Sequence, residues 1–321
     1  MTDMLVMCGL TEPLPVVAAA TLAARSPRLE SRLASPGSAV VSKHLQSPLP
    51  AVPRRPGIHF SEAAGLRHLH VGGSAIQSAM RLDAPDELAL AYTRAMVSCL
   101  LFNPEPREVL LIGLGGGSLA KFLYRRRRAT RIVAVEIDVR VVNAAHRLFH
   151  MPIGKPRLRV LVGDGARHVE RNPASADVIL LDAFVNHRQA PSIRTEAFYR
   201  AAWRALRPDG VLVINFMSDD PGLHAYIRRL AQAFDARVFC LRAIGEDNII
   251  VLAFRDDPDV ITPASLIGRA IALQRELGLE FGEFARRLRS LDRVRVRGRP
   301  LLSLQALRSI RANALNRRGR S

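Results

Sequence analysis

Residues 109–118 read VLLIGLGGGS, and residues 135–138 read VEID. The first stretch is an apolar run that ends in glycines at Gly113, Gly115, Gly116 and Gly117 and opens at Ser118 into a helix-forming segment. Such a loop lets the backbone turn tightly and lets a ligand come close to the helix N-terminus. The second stretch puts an acid, Glu136, at the tip of the next apolar run. A carboxylate at that position accepts from both hydroxyls of a ribose. Strand, glycine loop, helix, strand and acid, in this order, predict a nucleotide pocket in an α/β sheet.

The spacing of the glycines narrows the ligand. A dinucleotide fingerprint, G-x-G-x-x-G, would need glycine at Ser118; the sequence has G-x-G-x-G over Gly113, Gly115 and Gly117, the form common in folds that bind S-adenosylmethionine. An NAD dehydrogenase is therefore disfavoured. Glu136 serves either ligand and does not discriminate. Asp164, in Gly163-Asp164-Gly165 after the third apolar run, does: it can accept from an adenine amino group, and it can also cap the helix that starts at Ala166. Asp182 ends the run Val178–Leu181, which holds one more carboxylate at a strand tip facing the same cleft.

Outward from this centre the alternation continues. Strands are predicted over 109–113, 131–136, 158–162, 178–182, 211–216, 237–241 and 249–254, with helices over 118–126, 140–149, 195–206 and 223–234. This pattern builds a mostly parallel, seven-stranded sheet covered by helices on both faces, with ligands at the carboxyl ends of the strands; the two closing strands are expected to be antiparallel. Ahead of the sheet, 86–102 is predicted as a helix, and Ile58–Gln77 as a small hairpin turning at Gly72-Gly73. Residues 1–56 are rich in Ala, Ser and Pro without a sustained period and are expected to be a disordered leader. The expected division is thus 1–56, 57–85 as a small N-terminal β region, 86–262 as the main α/β domain, and 263–321 as a helical, Arg-rich tail.

At this point the residues carry a resemblance. From about Gly72 to Phe254 the chain resembles the spermidine and spermine synthase family, the aminopropyltransferases. The matching pieces are Ile76-Gln77, Gly113 to Ser118, Val135-Glu136-Ile137-Asp138, Gly163-Asp164-Gly165, Asp182, and Thr195 to Phe216 with Phe198-Tyr199 and Pro208-Asp209-Gly210. The resemblance implies a Rossmann-like class I methyltransferase fold over 86–262 and S-adenosylmethionine or its decarboxylated form as co-substrate. The family that the chain resembles often forms dimers, and a homodimer is a possible assembly here; no metal is expected. Gln77, Gly113, Gly115, Gly117, Glu136, Asp164 and Gly165 are expected to hold the adenosyl ligand. Tyr92 and Asp182 are expected to meet the reacting end, with Asp182 as base or amine anchor and His187 as a weaker candidate.

The departures from the family are informative. Its glycine loop, G-G-D-G-G, carries an aspartate where this chain has Gly116. Its D-S-S-D loop is here Asp182-Ala183-Phe184-Val185, so the second acid is valine. Its Y-H-E is Tyr92-Thr93-Arg94, and an arginine in place of a carboxylate repels a polyamine. The adenosine half of the pocket is kept and the polyamine half is altered. The expected function is transfer of an aminopropyl or methyl group to an unnamed small nucleophile; the alternative is a binding protein that kept the adenosine clamp and lost turnover.

Composition limits other readings. The chain has 321 residues, 48% of them hydrophobic, with no apolar run of the roughly 18 residues a membrane span needs. Its cysteines, Cys8, Cys99 and Cys240, are scattered singly and are expected to be inert thiols, which fits a cytoplasmic protein. The net charge is +18, yet residues 286–321 hold twelve Arg and one Asp and so supply +11 of it. The rest is mildly basic, and only Lys43, Lys121 and Lys155 are lysines, so charge is a weak argument for nucleic acid. Within the tail, Leu301, Leu304, Leu307 and Ile310 outline a short amphipathic helix that a nucleic acid, an anionic lipid surface or a partner could meet.

Overall fold

In the computed structural model, residues 57–185, 188–258 and 262–318 are described. The leader, Cys8 and His187 lie outside them. Strand β4 (Glu108–Ile112) shows why the fold forms: Val109 and Leu111 enter one apolar core, and Leu110 and Ile112 enter another on the opposite face. The same division holds for β7 (Ala176–Leu181), with Val178 and Leu180 on one side and Ile179 and Leu181 on the other. Side chains alternate across a strand, so an unbroken apolar run needs both faces covered. Each such residue contributes about 1.5–3 kcal/mol on burial.

The large sheet has eight strands in the order β13-β11-β12-β10-β7-β4-β5-β6. From β10 (Leu206–Met217) through β7, β4 and β5 (Arg131–Glu136) to β6 (Leu158–Val162) the pairing is parallel. Then β12 (Asn248–Phe254) runs antiparallel to β10, and β11 (Val238–Arg242) antiparallel to β12. Seven strands follow the sequence pattern. The eighth, β13 (Arg289–Ser290), pairs antiparallel on β11 and belongs to a tail that reads as helical. Two residues are too short to show a period.

Helices α2 (Ser118–Arg126), α7 (Pro263–Leu277) and α8 (Phe281–Arg287) send apolar residues into one core; α4 (Gly165–Arg171), α5 (Glu196–Ala205), α6 (Leu223–Ala233) and α9 (Leu304–Arg318) send theirs into the other. Leu301 and Leu307 are buried in this second core with Ile310 against it, whereas Leu304 is exposed, so the tail's apolar stripe is largely covered by its own chain. Cys99 and Cys240 are buried, which pushes both thiols up to about 12.

The N-terminal β region is a three-stranded meander, β1 (Ile58–Ala63), β2 (Leu66–Val71) and β3 (Ile76–Arg81), one strand more than a hairpin. Leu69 and Met80 pack it against Val141, Ala144 and Phe149, around helix α3 (Val139–Leu148). This places β3 beside the glycine loop, where the hydroxyl of Ser118 donates to the carbonyl oxygen of Ala79 at 3.1 Å. Helix α1 (Ala91–Met96) is shorter than the apolar pattern of 86–102 and passes at Val97 into a 3₁₀ turn. Its N-cap, Leu90, has no side-chain acceptor for the first amides. Glu246 supplies one instead, taking the amides of Ala91 at 2.9 Å and Tyr92 at 2.8 Å. Among the described residues no helix is long and apolar enough to cross a membrane.

Candidate active site

Three backbone bonds carry the sheet's pairing one residue past the strand tips. The amide of Gly113 donates to Val135, that of Asp182 to Ile112, and that of Gly163 to Glu136, each at 2.9 Å. The residues that follow these strands are therefore fixed by the sheet. At Gly113 the fit is tight: φ is +92°, and a Cβ would lie 2.2 Å from the carbonyl oxygen of Asp182. Only glycine lets the first and fourth strands of the nucleotide half close so near each other. Gly117 caps α2 with φ +75°, and a Cβ there would meet Sδ of Met151 at 2.5 Å.

Above these tips lies a cleft of about 540 Å³. Gln77, Tyr92, Gly113, Gly115, Glu136, Asp164, Gly165 and Asp182 all line it. Gly117 does not; its place is in the packing under the loop. Glu136 is nearly buried, with Oε2 accepting from the amide of Leu114 at 2.9 Å and Oε1 from that of Asp138 at 3.0 Å. Each carboxylate oxygen has two acceptor sites, so both keep one for a ligand hydroxyl. Burial raises the Glu136 carboxyl above its ordinary range, while these amides hold it down. Asp164 caps α4 through Oδ1, which accepts from the amide of Ala166 at 2.8 Å, and leaves Oδ2 without a partner among the described residues.

Asp182 is set in a directed network. Oδ1 accepts from Nδ2 of Asn215 at 3.0 Å and Oδ2 from the hydroxyl of Tyr92 at 3.1 Å. Asn215 is oriented in turn, since its Oδ1 accepts from Nδ2 of Asn248 at 2.8 Å. Burial pushes the Asp182 carboxyl up to about 6, against the opposing pull of Asn215 and Tyr92. Its protonation thus changes close to neutral pH, as a proton acceptor requires. The Tyr92 hydroxyl is raised well above its ordinary value by burial first and by Asp182 next, so it stays a donor.

The acceptor end differs from the sequence reading in one respect. Arg94 is outside the cleft: Nε donates to Glu280 at 3.0 Å and Nη1 to the carbonyl oxygen of Ala89 at 2.9 Å. Residues two apart on a helix face different ways, so Tyr92 can point into the cleft only if Arg94 points away from it. The charge at the cleft wall near Tyr92 is instead Glu246, which sequence reasoning missed together with Asn215 and Asn248. Asn215 had a signal, being an amide inside the apolar run Val211–Phe216 of a strand covered on both faces. Glu246 had none, since only the fold brings it to Tyr92. At Gly116, where the family has aspartate, a Cβ would lie 2.7 Å from Cδ1 of Phe149.

Similarity to known proteins bears on this geometry. The sequence model of the spermine/spermidine synthase domain matches residues 89–240. The polyamine aminopropyltransferase of Chromobacterium violaceum is 39% identical over 243 residues, spanning 76% of this chain and 93% of the relative. Among solved structures, a probable spermidine synthase from Corynebacterium glutamicum superposes with a TM-score of 0.57 at 22% identity, over 72% of this chain and 90% of that one. Human methyltransferase-like protein 13, in complex with SAH, superposes with a TM-score of 0.54 at 26% identity, over 59% of this chain and 93% of that one. The family's domain lies over most of the strands and helices that build the cleft, and a relative so similar along nearly its whole length shares their ancestry: the chain belongs to the spermine/spermidine synthase family, with that family's methyltransferase-like fold.

Proposed function

We propose that this protein is an aminopropyltransferase that binds decarboxylated S-adenosylmethionine and an amine acceptor other than putrescine. The observation that carries the proposal is the set of three carboxylates, Glu136, Asp164 and Asp182, at successive strand tips around one cleft. Glu136 and the free oxygen of Asp164 are suited to the ribose hydroxyls and the adenine amino group, with Gln77, Gly113, Gly115 and Gly165 along the wall. When bound, the ligand supplies a carbon already activated by a sulfonium, which leaves as a neutral thioether.

What remains for the protein is to orient a nucleophile and take its proton. An amine that forms the new carbon–nitrogen bond must shed one proton, and Asp182 is placed to accept it and pass it to solvent. Asn215 and Tyr92 hold the carboxylate in place for that transfer. Asp182 and Glu246 give this end two acids. That charge suits the amine of the decarboxylated donor and disfavours the extra carboxylate of S-adenosylmethionine. The second reading, a binder without turnover, is favoured by Gly116 and Val185, where the family has acids. Titration calorimetry against decarboxylated S-adenosylmethionine, S-adenosylmethionine, methylthioadenosine and NAD tests the proposal. The first and third should bind tightest and NAD least; preference for NAD would refute it.

A further inference from the structure

Some of the arginines of this Arg-rich chain are neutralised by neighbouring carboxylates. Arg81 pairs with Asp83, Arg125 with Asp86, Arg126 with Glu87, Arg131 with Glu108, Arg140 with Asp138 and Arg200 with Glu196. Many others among the described residues have no such partner, and at one place five arginines gather. Arg242, Arg287, Arg289, Arg293 and Arg295 line, with Val294, a second concavity of about 340 Å³ that shares no residue with the cleft. Strand β13 gathers them, because its Arg289 pairs with Cys240 and so lays the end of α8 beside the strand that finishes at Arg242.

Among the described residues, only one carboxylate pairs with any of these five side chains. Glu283 takes Nε of Arg287 at 2.5 Å, and it is shared with Arg286 at 2.6 Å. The adjacent Asp292 accepts from the hydroxyl of Ser290 at 2.5 Å and forms no ion pair with the five, so its charge offsets theirs only in part. The other guanidinium bonds go to carbonyl oxygens: Arg289 to Arg286 and Leu288, Arg295 to Gly298 at 3.1 Å, and Arg242 to Arg295 at 3.5 Å. A carbonyl orients a guanidinium without cancelling its charge. Collecting like charges around one hollow costs energy, which a bound anion removes.

We propose that this concavity binds the phosphate chain of a small di- or triphosphate. Guanidinium forks match phosphate oxygens two at a time. A hollow of this volume is at the small end of ligand pockets, and it is shallow and open to solvent, as a phosphate chain that keeps part of its hydration would allow.

The test is titration of the full chain with tripolyphosphate and with ATP at about 150 mM salt, where diffuse surface charge is largely screened. Saturable binding of both is expected. The paired variant Arg289→Ala/Arg293→Ala should weaken it about tenfold or more, while Arg308→Ala/Arg311→Ala, on the exposed side of α9 and equal in charge removed, should not. Thermal melts of both variants should match the parent, since all four side chains are exposed. Equal affinity for the two probes assigns recognition to the phosphates, and tighter ATP adds the nucleoside; either supports the site. Absence of saturable binding, or equal loss in both variants, would overturn it. So would binding of a fluorescein-labelled RNA oligomer that tripolyphosphate does not displace, which would mark a nucleic-acid surface instead.

Discussion

The hydroxyl of Tyr92 donates to Oδ2 of Asp182 across 3.1 Å, and it lies 3.4 Å from the carbonyl oxygen of Gln77. One phenol therefore joins helix α1, the tip of β7 and the small N-terminal sheet. It also has a second acceptor to turn to if Asp182 changes its charge.

Because Asp182 titrates near 6, its attraction for a cation should switch off in mild acid. Affinity for decarboxylated S-adenosylmethionine is expected to rise about tenfold as pH rises through 6, whereas the neutral methylthioadenosine should bind equally across the range. Calorimetry from pH 5 to 8 reads both. Parallel curves for the two ligands would remove Asp182 from the reacting end.

Stability carries the opposite sign. Burial raises this carboxyl from 3.8 to about 6, so the folded state holds a proton that the unfolded chain has lost. Stability from this group is full below the unfolded value and is lost as pH rises to about 6. Asp182 is only partly buried, so the loss is about 1–3 kcal/mol. Asp182→Asn keeps the bond from Asn215, and Tyr92 can turn to Gln77. The stability advantage of the variant over the parent should grow from pH 4 to pH 7.5 by urea unfolding, while turnover falls roughly 10²–10⁴-fold. Full turnover would leave the base elsewhere.

Glu136→Gln should weaken methylthioadenosine about tenfold and lower the melting temperature somewhat, since one oxygen that faces ligand and a backbone amide becomes a donor. Glu136→Ala should weaken it at least as much and also lower the melting temperature, because the amides of Leu114 and Asp138 lose their acceptor. Unchanged affinity in both variants contradicts a ribose at Glu136.

Putrescine should be a poor acceptor, because Gly116 and Val185 stand where the family has acids. Purified protein with putrescine and decarboxylated donor should turn over far below the usual range of about 1–10³ per second. A rate inside that range would show that Asp182 and Glu246 suffice.

Restoring one missing acid should fail on steric grounds. Gly116→Asp places a Cβ 2.7 Å from the ring of fully buried Phe149, and overpacking of this kind costs about 1–3 kcal/mol. Calorimetric unfolding checks it; an unchanged melting temperature would mean that Phe149 yields.

Much of this was legible in the sequence because the informative residues are local. Val109–Ile112 and Val178–Leu181 are apolar without interruption, and that follows directly from burial on both faces of a sheet. Glu136 and Asp182 each end an apolar run and Asp164 follows one within two residues, so their strands place them without further knowledge. Glu246 and β13 were not legible. The acid is 154 residues from the Tyr92 amide it holds, and the strand is too short for any period to register. Arg94 was misplaced for a related reason: matching it to a motif position ignores the direction in which a helix turns it.

The tight approach at Gly113 has a consequence for how such chains are classified. The space a side chain would need there is taken by the backbone of Asp182, and at Gly117 by Met151, with no ligand involved. A lineage that had abandoned chemistry altogether would still be penalised for changing either glycine, Gly113 because the sheet itself would not close and Gly117 because a side chain at φ +75° is strained. The loop can thus outlive the activity it once served, like a keyhole kept in a door that no longer locks. Whether a divergent chain of this fold is still an enzyme has to be judged from Asp182, since Glu136 and Asp164 also hold backbone amides and would be kept by the fold alone.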